Sequence, residues 1–455
     1  MVVERRFPAL LHVCGYDVRG VYADSGMVKP ARASGIVEHT HQLLAGLARA
    51  RPATRFAVTQ TGGAARPAGP ARPLRLPEGP TVDWRSIVTA FPAYLRGEGA
   101  AAGKDPGRVT LYYETRIDDE ANPVWRSLAE QYTAVIRAAG TADLLLQGVN
   151  PLVALLKADE CGLLDAGRLR VTAVVHDTAG AQRRLGYLAR RLAGSGLGVM
   201  LVAVSGHVRA GLLAAGVPAR SLTTIRNGLD VAAFDRRLAA ARGVFARVAA
   251  RNGLRPGRRV VLVSARRVPW KGQRDVIDAA GLLAERGRAD TLTVVINGAG
   301  MTDSRWPGYE RELAAQIDRR GLGEVVVLLD ALTAEEVAAC YTAAHVAVHP
   351  SREPEPFGYA TVEAMLAGVP VITTGHGGPA EYIADGRSGL FVPPGAPGAI
   401  AAALERLLGD DGLRGRVAAA GRAAAARLSL ETMTAAYLDL IARPVEAATA
   451  TAVGR

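Results

Sequence analysis

The sequence predicts an α/β chain made of two doubly wound halves, each built on a parallel sheet. Short runs rich in Val and Ile alternate with longer helical patterns, the mark of βαβ units whose sheet is buried on both faces. The 455 residues exceed what one hydrophobic core comfortably encloses. The Asn227-Gly228 turn signal opens a stretch, Asp230–Pro256, that reads as the connection between the halves. Ligands of open parallel sheets bind at the carboxyl ends of the strands, so a cleft between two such halves is the expected site.

In the first half, the candidate strands are Ala9–Cys14, Arg55–Thr59, Val109–Tyr113, Asp143–Gln147, Val171–His176, Met200–Val204 and Leu222–Ile225. In the second they are Val260–Ser264, Thr291–Asn297, Val325–Leu329, Val346–His349, Val369–Thr373 and Gly389–Val392. Helical periodicity marks Val37–Ala50, Gln273–Arg286, Gly308–Arg320, Thr333–Ala344 and Ile400–Leu408. Thr333 followed three residues later by Glu336 is a capping-box pair that places one helix start. The aperiodic Gly, Pro, Ala and Arg of Gly62–Pro80 read as an exposed loop. No repeat of 20 to 50 residues is visible.

Composition narrows the function. Hydrophobic residues at 49% and charged residues at 22% are those of a soluble globular protein. The net charge of +12 suits phosphorylated ligands, but no Lys/Arg run with interleaved aromatics points to nucleic acid. Cys14, Cys161 and Cys340 are far apart and odd in number, which excludes a disulfide framework and favours buried free thiols. No apolar run is long enough to span a membrane, and Met1–Gly15 lacks a signal peptide's cleavage site; a cytoplasmic location is expected, with peripheral membrane contact not favoured.

Two stretches carry chemistry. In Ser351-Arg-Glu-Pro-Glu-Pro-Phe-Gly-Tyr-Ala-Thr-Val-Glu-Ala-Met365, a strand exit leads into a helix N-terminus, whose N–H groups and dipole attract anions. Glu355 and Glu363 beside such an anion site make sense as acceptors for neutral hydroxyls, one of a sugar and one of a ribose; the plainer reading is two acids decorating a helix start. In Val260-Val-Leu-Val-Ser-Ala-Arg-Arg-Val-Pro-Trp-Lys-Gly272, Arg266 and Lys271 follow a buried strand and precede another helix start. They would neutralise charge growing on a leaving diphosphate, unless the loop is merely solvated and basic.

These stretches resemble the family 4 retaining glycosyltransferases of GT-B fold (glycosyl transferases group 1). The resemblance covers the Arg266…Lys271-Gly272 loop, the Glu355…Glu363 signature with Pro356, Phe357 and Gly358, then Gly377-Gly-Pro-Ala-Glu381 and Asp385-Gly-Arg-Ser-Gly389. It is strong from about Leu201 to Pro394 and weak before Val171. It implies two Rossmann-like domains: an acceptor-binding one over 1–228, a donor-binding one over 229–428, and a last helix within 429–455 returning to the first. It further implies that Arg266 and Lys271 bind the donor diphosphate. Glu355 would contact the transferred sugar, assisted by backbone N–H groups near Phe357 and Gly358. The amides of Tyr359, Ala360 and Thr361 would cap the phosphates, and Glu363 would take the ribose. His176, in Val174-Val-His-Asp177, matches the family histidine near the sugar's C6 hydroxyl, against the plainer reading of a satisfied histidine at a strand end. Gly35, in Ser34-Gly-Ile-Val37, matches the first glycine loop, although Ser34 stands where the family carries glycine.

The expected reaction is retaining hexosyl transfer from a nucleotide-diphosphate sugar to a small-molecule acceptor, with no metal or other cofactor. His39 and His41 diverge on a helix and need bind no metal. The acidic run Glu114, Asp118, Asp119 and Glu120 suggests a cationic acceptor such as an aminocyclitol of antibiotic biosynthesis, while the basic balance suggests a phospholipid or sugar phosphate. A nicotinamide oxidoreductase is excluded because Leu11-His-Val-Cys-Gly15 lacks G-x-G-x-x-G. A nucleotide-sugar epimerase would need an acid/base set that the sequence does not offer. A non-catalytic nucleotide-sugar-binding subunit stays as the reading from another class.

Overall fold

The computed structural model describes residues 10–14, 35–50, 56–62, 72–75, 81–88, 123–139, 142–165, 167, 169–195, 197–298, 306 and 308–442. The chain divides into two compact units, Met1–Arg226 with Glu431–Arg455, and Asn227–Leu430.

The first unit runs β1 (Leu10–Cys14), α1 (Gly35–Ala50), β2 (Phe56–Gly62), β3 (Arg72–Arg75), β4 (Thr81–Val88), α2 (Pro123–Ala139), β5 (Asp143–Gln147) and α3 (Val149–Glu160). It continues with β6 (Arg170–Val175), α4 (Gln182–Leu192), β7 (Gly198–Ala203), α5 (Gly206–Ala214) and β8 (Leu222–Thr224). The sheet order is β3-β4-β2-β1-β5-β6-β7-β8, parallel throughout except for the antiparallel β3–β4 pair. All five residues of β5 are buried, as a strand covered on both faces requires.

The second unit runs α6 (Val231–Ala240), α7 (Val244–Arg251), β9 (Arg259–Val263), α8 (Gln273–Glu285), β10 (Leu292–Ile296), α9 (Tyr309–Arg319) and β11 (Val326–Leu328). Then come α10 (Ala334–Ala343), β12 (Ala344–His349), α11 (Tyr359–Leu366), β13 (Val371–Thr374), β14 (Leu390–Val392), α12 (Pro397–Gly409) and α13 (Asp411–Ala425). Its sheet is wholly parallel in the order β11-β10-β9-β12-β13-β14. One buried cluster holds Val261, Val263, Val294 and Ile296, and another holds Val260, Leu262 and Val295, so alternate residues of β9 and β10 feed cores on opposite faces. The chain winds outward from β9 to β11, then crosses to β12 on the other side of β9. The carboxyl ends of β9 and β12 therefore flank a topological switch point, the crevice where such sheets bind ligands.

The last helix, α14 (Leu430–Ala442), lies with the first unit from Glu431 onward. There the fully buried Tyr437 brings its ring to 6.3 Å from that of His39.

Several expectations need correction. Gly62–Pro80 is not a continuous loop, because Arg72–Arg75 pairs antiparallel with β4. Its Pro73 hid the strand, but β3 lies at a sheet edge, where a residue lacking an N–H is tolerated. Asp230–Pro256 is not a bare connection: it forms α6 and α7, which bury Phe234, Val244 and Val248. Asp230 caps α6 by accepting the Ala233 N–H at 2.8 Å. Cys161 is exposed, because it falls in the turn just after α3, whereas Cys340 is buried. The expected strand Val109–Tyr113 and the acidic run Glu114–Glu120 lie outside the described residues. Among those described, no helix is long and apolar enough to cross a membrane.

Candidate functional site

Both chemistry-bearing loops leave neighbouring parallel strands, β9 and β12, on the same side of the sheet. Three contacts draw them together. The Arg352 N–H donates to the Trp270 carbonyl at 2.7 Å. Arg352 also grips Asp275, buried in the first turn of α8, with Nε to Oδ2 at 2.9 Å and Nη2 to Oδ1 at 2.5 Å. Gly272 has φ +75°, and a Cβ there would lie 2.2 Å from the Pro350 carbonyl oxygen, so the two backbones meet where only glycine fits.

At the centre, Lys271 Nζ donates to Glu355 Oε1, forming an ion pair inside this crevice. The same oxygen accepts from Ser351 Oγ at 2.6 Å. Glu355 is only 8% exposed, and burial raises its pKa; the Lys271 charge, with hydrogen bonds from Lys271 and Ser351, outweighs that and holds the carboxyl below its usual value. Beneath them lies His349, whose Nε2 is buried with no hydrogen-bond partner among the described residues. Burial first, then the Lys271 charge, press its pKa down to about 4 against the pull of Glu355, so the ring is neutral at pH 7. The Trp270 ring faces both cations, with Lys271 Nζ 4.1 Å and Arg266 Cζ 5.9 Å from its centroid.

Glu355 is fixed from behind by backbone. Gly378 N donates to its carbonyl at 2.7 Å, and at Gly377, with φ +72°, a Cβ would sit 2.3 Å from that carbonyl oxygen. Phe357 is buried with its ring 4.9 Å from that of Tyr359, and Tyr382 Oη donates to the Phe357 carbonyl at 2.8 Å. Gly358, at φ +87°, is the N-cap of α11 and offers no capping side chain. Tyr359 and Ala360 open the helix, while the Thr361 N–H already donates to the Gly358 carbonyl at 3.0 Å, so of the three expected amides this one is engaged within the turn. Glu363, one turn on, accepts from Tyr341 Oη at 2.9 Å.

His176 belongs to the first unit. It is buried just past β6, with Nε2 2.8 Å from Gln147 Oε1 and its ring edge-on to His39 at 4.8 Å. Gly35 is the first residue of α1. Among the described residues, no group of three or more His, Cys, Asp and Glu side chains could hold a metal ion.

The structure thus brings Lys271 and Glu355 together and sets Arg266 beside the same tryptophan. Sequence reading missed Ser351, His349, Trp270, Tyr341 and the Arg352–Asp275 clamp. Ser351 and Arg352 stood inside the quoted motif, but loop contacts follow no periodicity; Tyr341, 22 residues before Glu363, left no signal.

An arginine, a lysine and two glutamates thus stand around a strand-end switch point of the second α/β unit. Residues 245–424 match the model of the family described as glycosyl transferases group 1. The D-inositol 3-phosphate glycosyltransferase of Streptomyces bingchenggensis is 34% identical over 196 residues, 42% of each chain; the match spans well under half of that relative. Anabaena HepE in complex with UDP superimposes with a TM-score of 0.67 at 18% identity, covering 95% of this chain and 99% of that one. Sucrose-phosphate synthase from Thermosynechococcus elongatus does so at 0.68 and 19%, covering 95% and 98%. The fold is GT-B.

Proposed function

We propose that the protein is a glycosyltransferase that moves a hexosyl group, with retention, from a nucleotide-diphosphate sugar to a hydroxyl of a phosphorylated cyclitol or similar small polyol, without a metal. The observation that carries this reading is the Lys271–Glu355 pair at the β9/β12 switch point, beside the start of α11. A donor entering there gives each partner a better use. The diphosphate takes Lys271 and Arg266, and sugar hydroxyls donate to Glu355 in place of the ammonium. As the anomeric carbon–oxygen bond to the diphosphate breaks, charge grows on the leaving oxygen, and the two cations and the α11 amides stabilise it. The acceptor oxygen bonds to that carbon from the same face and passes its proton to the departing phosphate. Retention, and the roles of His176 at the sugar and Gly35 at the donor phosphate, follow from the family resemblance and belong to the same proposal, as does a cytoplasmic location. The acceptor class rests on relatives named D-inositol 3-phosphate glycosyltransferases.

The test is transfer of labelled sugar from a panel of nucleotide sugars to inositol phosphates, free inositol, deoxystreptamine and phospholipid vesicles, with products resolved by mass. Transfer to an inositol phosphate with an axial-to-axial outcome is expected. Transfer to deoxystreptamine instead would restore the aminocyclitol reading. Donor binding with neither transfer nor hydrolysis would make this a non-catalytic subunit.

A further inference from the structure

Glu363 does not stand alone. Tyr341, on α10, is 1% exposed and its hydroxyl donates to Glu363 Oε2 at 2.9 Å. Burial first, then the Glu363 charge, push the phenol's pKa well above its ordinary value, so Tyr341 stays protonated and remains a donor at any working pH. The Ser264 side chain tempers that rise, and its Oγ accepts from Asn297 Nδ2 at 3.0 Å. Ser264 and Asn297 are buried at the ends of β9 and β10. A buried phenol on α10 thus holds the carboxylate on α11. A glutamate on a helix surface has several rotamers of similar energy; a fixed buried donor selects one of them.

We propose that Tyr341 is a positioning residue that aims Glu363 at the donor ribose and so sets selectivity for ribose over deoxyribose. This rests on the nucleotide-sugar reading above. A carboxylate held in one rotamer accepts a ribose hydroxyl without first losing side-chain freedom, and lacking that hydroxyl leaves it poorly satisfied. Tyr341 is buried behind Glu363, so its effect is expected on donor affinity rather than on the bond-breaking step.

The experiment compares a turned-over nucleotide sugar with its 2′-deoxy and 3′-deoxy analogues in the wild type, Tyr341→Phe and Glu363→Gln. The wild type is expected to raise KM for one deoxy donor about tenfold, the size of one lost hydrogen bond. Tyr341→Phe should raise KM for the ribose donor by a similar factor, leave kcat within about twofold, and shrink the ribose preference towards unity. An unchanged ribose preference in Tyr341→Phe, with Glu363→Gln losing it, overturns the positioning role and leaves the function intact. Retention of the preference by Glu363→Gln as well removes Glu363 from the ribose and undoes the underlying site assignment. Should Tyr341→Phe fold poorly, Glu363→Asp keeps the charge but draws the carboxylate back from the phenol: a reduced preference supports the positioning role, and an undiminished one refutes it.

Discussion

Lys271 and Glu355 satisfy each other, and in the proposed reaction the donor gives each a different partner. Under the proposed mechanism, Lys271→Ala removes the cation at the leaving oxygen, and it strands a buried carboxylate. Turnover at saturating donor should fall by about 10²–10³, the usual loss for one transition-state donor; steady-state kinetics near the wild-type kcat would end the leaving-group role. His349 makes a second prediction at this scale. Its folded pKa, about 4, lies below the ordinary 6.5, so between those values the unfolded chain binds the extra proton. Stability is therefore full above about pH 6.5 and falls as pH drops towards 4. In His349→Gln that part of the slope should vanish, which urea unfolding at pH 7.5 and 5.0 would read as a smaller pH dependence than wild type.

The elements matter because two loops must meet. The β9 loop turns into α8 at Gly272 with a left-handed backbone, pressed against Pro350 at the end of β12. Gly272→Ala meets both a disfavoured φ and a backbone oxygen, and should cost about 2 kcal/mol or more. It should also weaken donor binding, because Lys271 is the adjacent residue. By contrast, Thr333→Ala removes one half of the α10 capping box, whose bonds are Glu336 N–H to Thr333 Oγ1 at 3.2 Å and Thr333 N–H to Glu336 Oε2 at 2.8 Å. That should cost about 1 kcal/mol in urea unfolding without altering donor KM. If the two variants behaved alike in donor binding, the special place of the Gly272 turn would be disproved. Short loop motifs were legible here because their residues recur in a fixed order and spacing after a strand, as with Arg266, Lys271, Glu355 and Glu363. The clamp of Arg352 on Asp275 was not, since nothing in a local pattern links residues 77 positions apart.

Across the whole chain, the last helix is what returns to the first unit. Tyr437 is fully buried there against His39. Tyr437→Ala should leave a large cavity and destabilise the protein by about 3–5 kcal/mol. Calorimetry that showed an unchanged first-unit transition would mean the helix contributes no packing there.

The sequence by itself determined the α/β class, most strands, the capped start of α10 and the residues of the two loops that leave β9 and β12, because these follow from local periodicity, turn chemistry and order along the chain. It also misjudged Arg72–Arg75 and Asp230–Pro256, where pairing with β4 and packing of Phe234 and Val248 overrode weak local signals. Only the tertiary structure decided that β9 and β12 are neighbours, that Lys271 meets Glu355, and that Tyr341 stands behind Glu363. Strand order and contacts between distant loops depend on how buried faces pack together, and no window of sequence contains that information.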